Sequence, residues 1–321
     1  MEGIALIRRA VAELKAGRPV AEALVLSTVG SAARHAGARM LLLSDGTLLG
    51  TIGGGSPELQ TQQLCREALD GAIPVLKVFK RGVVDIACGG AQTIGVRALG
   101  AADLGALEAA LASVDAGEPS AVSVDWSLGA PVCEPAEYSA ATPAWESERF
   151  YEPVLPADRC VIFGGGHVGR ALVPALAAID FEVTVFDDRP EVARPENFPA
   201  ASHVILGSFQ DIATGITLTS RDYVVVMTHG HVADEDVVGQ AVAYNPAYLG
   251  CMGSRHKRKV LEEVVAARGA TQEQIAALDL PIGLSIDAVT PAEIAVSVAA
   301  KMIQVRAIKR GEVEHPCPSG A

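Results

Sequence analysis

Basic charge is scarce in this chain. Its 321 residues carry 26 Lys and Arg against 38 Asp and Glu, a formal net charge of −12. Surfaces that recognise nucleic acid or anionic membranes normally show a basic field, so this balance argues against both and leaves room only for a local basic pocket. Long apolar runs are missing too, and none approaches the ~18 residues of a spanning helix. The opening MEGIALIRRAVAELKAG does not read as a signal peptide. Arg8, Arg9 and Lys15 interrupt it, and Ile4, Ile7, Val11 and Leu14 fall on one helix face. Six cysteines stand at 65, 88, 133, 160, 251 and 317 with no CxxC pair, which suggests neither a disulfide framework nor a zinc knuckle. No internal repeat is visible. These absences lead to the expectation of a soluble, cytoplasmic protein. With 50% hydrophobic residues and ~100–200 residues per domain, two domains are expected.

The composition shifts once along the chain. Residues 134–158 read EPAEYSAATPAWESERFYEPVLPAD, with four prolines and no sustained period. Proline fixes φ and removes a backbone donor, so this run is expected to resist helix and central strand alike. The division is therefore an N-terminal α+β domain at 1–135, a linker at 136–158, a Rossmann-like domain at 159–310 and a flexible tail at 311–321. Downstream, short apolar strands alternate with helical stretches, the pattern of a doubly wound parallel sheet covered on both faces. Strands are expected at 159–163, 182–186, 203–206, 222–227 and 247–251, with helices at 167–179, 232–244 and 255–268. A last helix opens at Thr290-Pro291-Ala292-Glu293, a capping box with proline at the first helical position. Upstream, a helix over 2–17 precedes a strand over 23–29. Two apolar runs flank Asp45-Gly46, a strong hairpin signal. A helix over 57–70, strands at 74–79 and 92–99, and a hairpin over 121–133 complete the smaller half.

The stretch VIFGGGHVGRALVPALAAIDFEVTVFDDRP, 161–190, places G-x-G-x-x-G as Gly164, Gly166 and Gly169 between a strand and a helix that opens at His167. The first glycine permits the tight turn, the second lets a pyrophosphate approach, and the third lets the helix pack on the strand. The helix N-terminus then offers free N–H groups to phosphate. Asp187 lies 18 residues beyond Gly169, at the end of the next strand, where an acid takes ribose hydroxyls. Strand, glycines, helix, strand and acid in order indicate a Rossmann-type unit. Asp187 would favour NAD over NADP, although Arg189 blurs that preference. After the 222–227 strand come His229, His231 and Asp234, which could ligate a metal, act as acid and base, or cap the next helix. Ser254, Arg255 and Lys257 open a helix beside the same crevice, a sound place for phosphate.

Two segments of the first half stand out. Gly53-Gly54-Gly55 runs into a helix and could offer backbone donors to an anion, with Arg34 and Arg39 adding charge. The alternative is a glycine-rich turn closed by the Glu58 carboxylate, and the spacing leaves the two level. In Asp85-Ile86-Ala87-Cys88-Gly89-Gly90, Cys88 could be a small buried hydrophobe or an exposed thiolate suited to a soft metal or to carrying sulfur.

These motifs together resemble the XdhC/CoxI family, accessory proteins of xanthine dehydrogenase and related molybdenum hydroxylases. The resemblance covers nearly the whole chain. It rests on GSAARHAGARM, GTIGGGSPE, ACGG, FYEPVLPADRCVIFGGGHVGRAL, VFDDR, MTHGHVADEDVV, YLGCMGSRHKRK and LPIGLSIDAVTPAEIAVSVAAKMIQVRA. It implies a chaperone that binds molybdenum cofactor, protects it while the metal gains a sulfido ligand, and aids its insertion into an apo-hydroxylase. A cysteine desulfurase and a cofactor donor protein are implied as partners, as is a homodimer. Under this resemblance Cys88 faces the molybdenum as ligand or sulfur relay. Arg34, Gly53, Gly54 and Gly55 hold the phosphate or pterin end, and Glu58 fixes the loop. The Rossmann half would bind a nucleotide, or lend His229, His231, Asp234 and Arg255 to the cofactor. The sequence departs from the family at Ala33 and Ala36, where proline is usual, which loosens that loop. The rival reading is an NAD-dependent oxidoreductase of unknown substrate with His229 or His231 as acid and base.

Overall fold

A computed structural model of the chain describes residues 2–80, 90–127 and 129–311. The chain divides into two compact units, Met1–Pro156 and Ala157–Ala321. Cys88 and the expected tail beyond Gly311 lie outside the described residues.

The first unit runs α1 (Glu2–Lys15), β1 (Val20–Val29), β2 (Arg39–Leu43), β3 (Leu48–Gly50), α2 (Gly55–Leu69), β4 (Val75–Lys80), β5 (Ala91–Leu99), α3 (Ala101–Asp115), β6 (Ser120–Asp125), β7 (Cys133–Pro135), β8 (Ala144–Glu146) and β9 (Arg149–Val154). Five strands form an antiparallel sheet in the order β3-β2-β1-β5-β4, and four more form a sheet β7-β6-β9-β8. The Asp45-Gly46 signal is realised: β2 and β3 pair antiparallel, Gly46 sits at φ +88° and the Asp45 carboxylate accepts from Thr47 N–H at 2.9 Å. Side chains on one face of the larger sheet pack under α2, among them Phe79, Ile94 and Val96 against Cys65 and Ala68. The other face, with Leu24 and Leu26, packs against α1, α3 and the smaller sheet.

Two expectations need correcting here. The stretch 136–158 is not a linker: β8 and β9 lie in it and pair with each other, and β9 also pairs with β6. Its alternation Phe150, Glu152, Val154 buries one face, and Pro153 is accommodated within β9. Helix α3 has no counterpart among the expected elements. Its AADLGALEAALASVD is rich in alanine and leucine, strong helix formers, but its apolar residues do not mark one clear face.

The second unit runs β10 (Asp158–Phe163), α4 (His167–Ala178), β11 (Phe181–Asp187), β12 (His203–Leu206), β13 (Tyr223–Val226), α5 (His231–Ala241), β14 (Tyr248–Cys251), α6 (Arg255–Ala267), α7 (Gln272–Ala277) and α8 (Pro291–Lys309). All its strands are parallel, in the order β12-β11-β10-β13-β14. This is the doubly wound order, which reverses between β10 and β13. Alternate residues serve the two faces. Val161, Phe163, Val224 and Val226 join one core with Val237 and Leu261. Cys160, Ile162, Val183 and Val225 join the other with Leu172 and Met302. The capping box of α8 forms as expected, Glu293 N–H donating to Thr290 Oγ1 at 3.3 Å and Thr290 N–H to Glu293 Oε2 at 2.8 Å. No helix among the described residues is long and apolar enough to cross a membrane.

Candidate functional site

In the first unit, three loops distant in sequence meet at one end of the larger sheet. A Cβ on Gly53 would lie 2.8 Å from Ala33 and 3.6 Å from the Arg34 side chain. One on Gly90 would strike the carbonyl oxygens of Ser31 and Val29 at 2.3 and 2.5 Å. Gln92 Nε2 donates to the Arg34 carbonyl at 2.8 Å. The segments around 29–34, 51–58 and 90–92 therefore share one corner, and Cys88 stands two positions before Gly90.

Glu58 governs this corner. Its Oε2 accepts from Thr51 Oγ1 at 2.5 Å, from Ile52 N–H at 3.0 Å and from Gly54 N–H at 3.0 Å, and Gly53 N–H donates to Thr51 Oγ1 at 3.1 Å. Burial pushes the carboxyl up, but these donors outweigh it and the pKa ends below the usual glutamate value. The two sequence readings of the glycine run are thus decided in part: amides 52–54 are already satisfied from within. Gly53, Gly54 and Gly55 sit at φ +127°, +76° and +68°, which no β-carbon residue adopts comfortably. Open space flanks Gly54, where a Cβ would meet nothing within 4 Å. Arg39 does not join this pocket. It is buried, bonded to Glu22 at 2.7 Å and to both Glu152 oxygens at 3.0 and 2.7 Å.

In the second unit, the candidates surround the switch point. Gly164 needs φ +116°, and a Cβ there would lie 2.2 Å from the Met227 carbonyl, so the turn after β10 packs on the loop after β13. A Cβ on Gly169 would come 2.4 Å from Gly164 O, the close helix packing expected of the third glycine. Gly166 is open, with nothing within 4 Å. His167, His231 and Ser254 are exposed at the first turns or caps of α4, α5 and α6, and Arg255 opens α6. His229 Nδ1 lies 3.6 Å from Asp188 Oδ1.

Asp187 is not poised as expected. It is fully buried, and its carboxylate accepts from Gly165 N–H at 2.7 Å, from Arg189 N–H at 3.0 Å, and from the Arg189 guanidinium at 2.9 and 2.8 Å. Burial raises its pKa, but Arg189 and Gly165 more than reverse this and hold it below the usual aspartate value. Asp234 also turns inward. Its Oδ1 accepts from Thr228 N–H at 2.9 Å and Oγ1 at 2.7 Å, and its Oδ2 pairs with Lys257. Lys257 is therefore a buried strut between the loops after β13 and β14, not a free phosphate ligand, because its charge needs a partner once out of water. No three of His, Cys, Asp and Glu among the described residues could hold a metal ion. Sequence reasoning gives Arg189 and Thr51 too little weight; an arginine two residues after the strand-end acid is the available signal.

A separate cavity of about 540 Å³ is lined by Asn245, Tyr248, Asp279, Lys301 and Lys309. It contains none of the residues singled out from the sequence.

The family model described as the XdhC Rossmann domain matches residues 160–302, and that of the XdhC and CoxI family matches residues 13–79. The chain is 30% identical over 157 residues to a Bacillus subtilis protein described as a probable xanthine dehydrogenase component, covering 49% of this chain and 46% of that protein. It is 23% identical over 305 residues to the molybdenum cofactor insertion chaperone PaoD of Escherichia coli, covering 94% of this chain and 88% of that protein. The chain spans less than half the length of two of the curated relatives it matches. A crystal structure described as a xanthine dehydrogenase from Bacillus halodurans superposes with a TM-score of 0.82 over 99% of this chain and 98% of that one, at 23% identity, and so shares the fold.

Proposed function

The chain belongs to the XdhC and CoxI family, and from that premise we propose that it carries molybdenum cofactor as cargo for a molybdenum hydroxylase. It holds the cofactor while the metal gains its sulfido ligand, and it assists insertion into the apo-enzyme. The observation that carries this reading is the corner of the first unit where the loops of Arg34, Gly53–Gly55 and Gly90 converge. The relative named as a molybdenum cofactor insertion chaperone aligns along 94% of the chain and so supports it.

The cargo bears a phosphate at one end and a dithiolene-bound metal at the other, and needs both an anion contact and a sulfur or polar contact. Arg34 and the open flank of Gly54 are assigned to the anionic end. Glu58 does not touch the cargo. It keeps the 51–54 amides turned inward and so holds the left-handed glycine turn in shape. Cys88 is assigned to the metal end, as ligand or sulfur relay. A cysteine desulfurase, a cofactor donor and the apo-hydroxylase are the proposed partners, with a homodimer as the working form and the cytoplasm as its location.

The test mixes purified apo-protein with freshly released molybdenum cofactor, separates it by gel filtration, and assays molybdenum and pterin in the protein peak. Stoichiometric co-elution, lost in Cys88→Ser and weakened in Arg34→Ala, is the expected result. Failure of the wild-type protein to retain either would sink the reading, and full retention and sulfuration in Cys88→Ser would remove Cys88 from it.

A further inference from the structure

A Rossmann unit that binds a dinucleotide leaves the acid at the end of its second strand open to the ribose hydroxyls. An ionised carboxylate has about four acceptor sites. At Asp187 four donors take them: Gly165 N–H and one guanidinium nitrogen on Oδ2 at 2.7 and 2.8 Å, and Arg189 N–H and Nε on Oδ1 at 3.0 and 2.9 Å. The side chain has no exposed surface. The glycine loop is held in this arrangement from its far side, since a Cβ on Gly165 would lie 2.7 Å from Phe198 and from Val192. The neighbouring acid, Asp188, is exposed and faces His229.

We propose that the Arg189 clamp on Asp187 bars NAD(H) and NADP(H) from this Rossmann unit, and that Arg189 is the residue that sets the exclusion. A ribose diol is neutral. To reach Asp187 it would have to replace a bidentate, charge-assisted pair with weaker hydrogen bonds, and it would leave the guanidinium without its carboxylate. The fold of a dinucleotide-binding domain is kept while its ribose acceptor is spent inside the protein. The oxidoreductase reading thereby loses the cofactor it requires. The cargo reading is carried by the other unit and stands or falls separately.

The full-length protein is titrated with NADH and, in parallel, NADPH, read by nicotinamide fluorescence and equilibrium dialysis. The expected result is no saturable binding up to about 1 mM for the wild type, and NADH binding at least about tenfold tighter in Arg189→Ala. The double variant Arg189→Ala, Asp187→Asn should lose that gain, which a merely loosened loop would not. Arg189→Gln, with its shorter neutral amide, replaces the alanine variant if a melting curve shows the latter unfolded. Saturable micromolar binding of either dinucleotide by the wild type would overturn the proposal. So would a folded Arg189 variant with no gain.

Discussion

At the scale of single residues, the Glu58 carboxylate occupies the place an external anion might take. It gathers Thr51, Ile52 and Gly54 around one oxygen and keeps three consecutive glycines in left-handed conformations. Glu58→Ala leaves those donors without their acceptor and should lower stability by about 1–3 kcal/mol in denaturant titrations. Its pKa lies below the usual value near 4.5, so the stabilisation is complete above that value and disappears as the pH falls through the lower, folded one. The wild type should therefore lose stability faster than Glu58→Gln on acidification below about pH 4.5. Parallel acid profiles would show that the carboxylate contributes nothing in its charged form. Glu58 was legible in the sequence as one of two readings, because a carboxylate four residues past a glycine turn is within reach. Whether it or a ligand held the amides depended on the rotamer, which spacing does not specify.

Among the secondary elements, a buried ionic network joins the two sheets of the first unit. Glu22 on β1 accepts from Arg39 on β2 at 2.7 Å and from Arg97 on β5 at 3.2 Å. Arg39 continues to Glu152 on β9, and Arg97 to Asp103 on α3 at 2.5 Å. Asp103 in turn accepts from Gly100 N–H at 2.8 Å and Cys133 N–H at 2.7 Å, fixing the start of α3 and of β7. Desolvation pushes the Glu22 carboxyl up, but Arg39 and Arg97 pull it further, to a pKa below normal. Its contribution is thus present above the unfolded carboxyl range and lost on acidification through the folded value. Glu22→Ala strands charge in the interior and should cost about 3–5 kcal/mol, read by chemical denaturation. A loss under about 1 kcal/mol would show that Glu152 and Asp103 satisfy the two arginines alone. This network explains why Arg39 could not be placed from sequence. Alternating apolar residues marked its strand, but its partner Glu152 lies 113 positions away, in a proline-bearing stretch that local propensity reads as linker. The strands there form because the sheet supplies the partners.

Across the whole molecule, four cysteines are buried: Cys65, Cys133, Cys160 and Cys251. Burial pushes the thiols of Cys65, Cys133 and Cys251 up to about 12, and that of Cys160 up as well. Thiolate is the reactive form, so brief iodoacetamide treatment of the native protein should leave all four unmodified by peptide mass mapping. Modification of any of them at the rate of a free thiol would contradict the packing. The same map then reads the reactivity of Cys88 without interference. The periodicity of the chain, its capping boxes and the glycine spacing determined the parallel β/α unit and most strands of the first unit, because those signals are local and each element's apolar face repeats within a few residues. What the acids and bases do was decided only by tertiary structure. Asp187, Asp234, Arg39 and Lys257 all looked like ligand contacts in the sequence, yet each is neutralised by a partner that folding brings alongside, since a charge taken out of water is tolerated only with a counter-charge in contact.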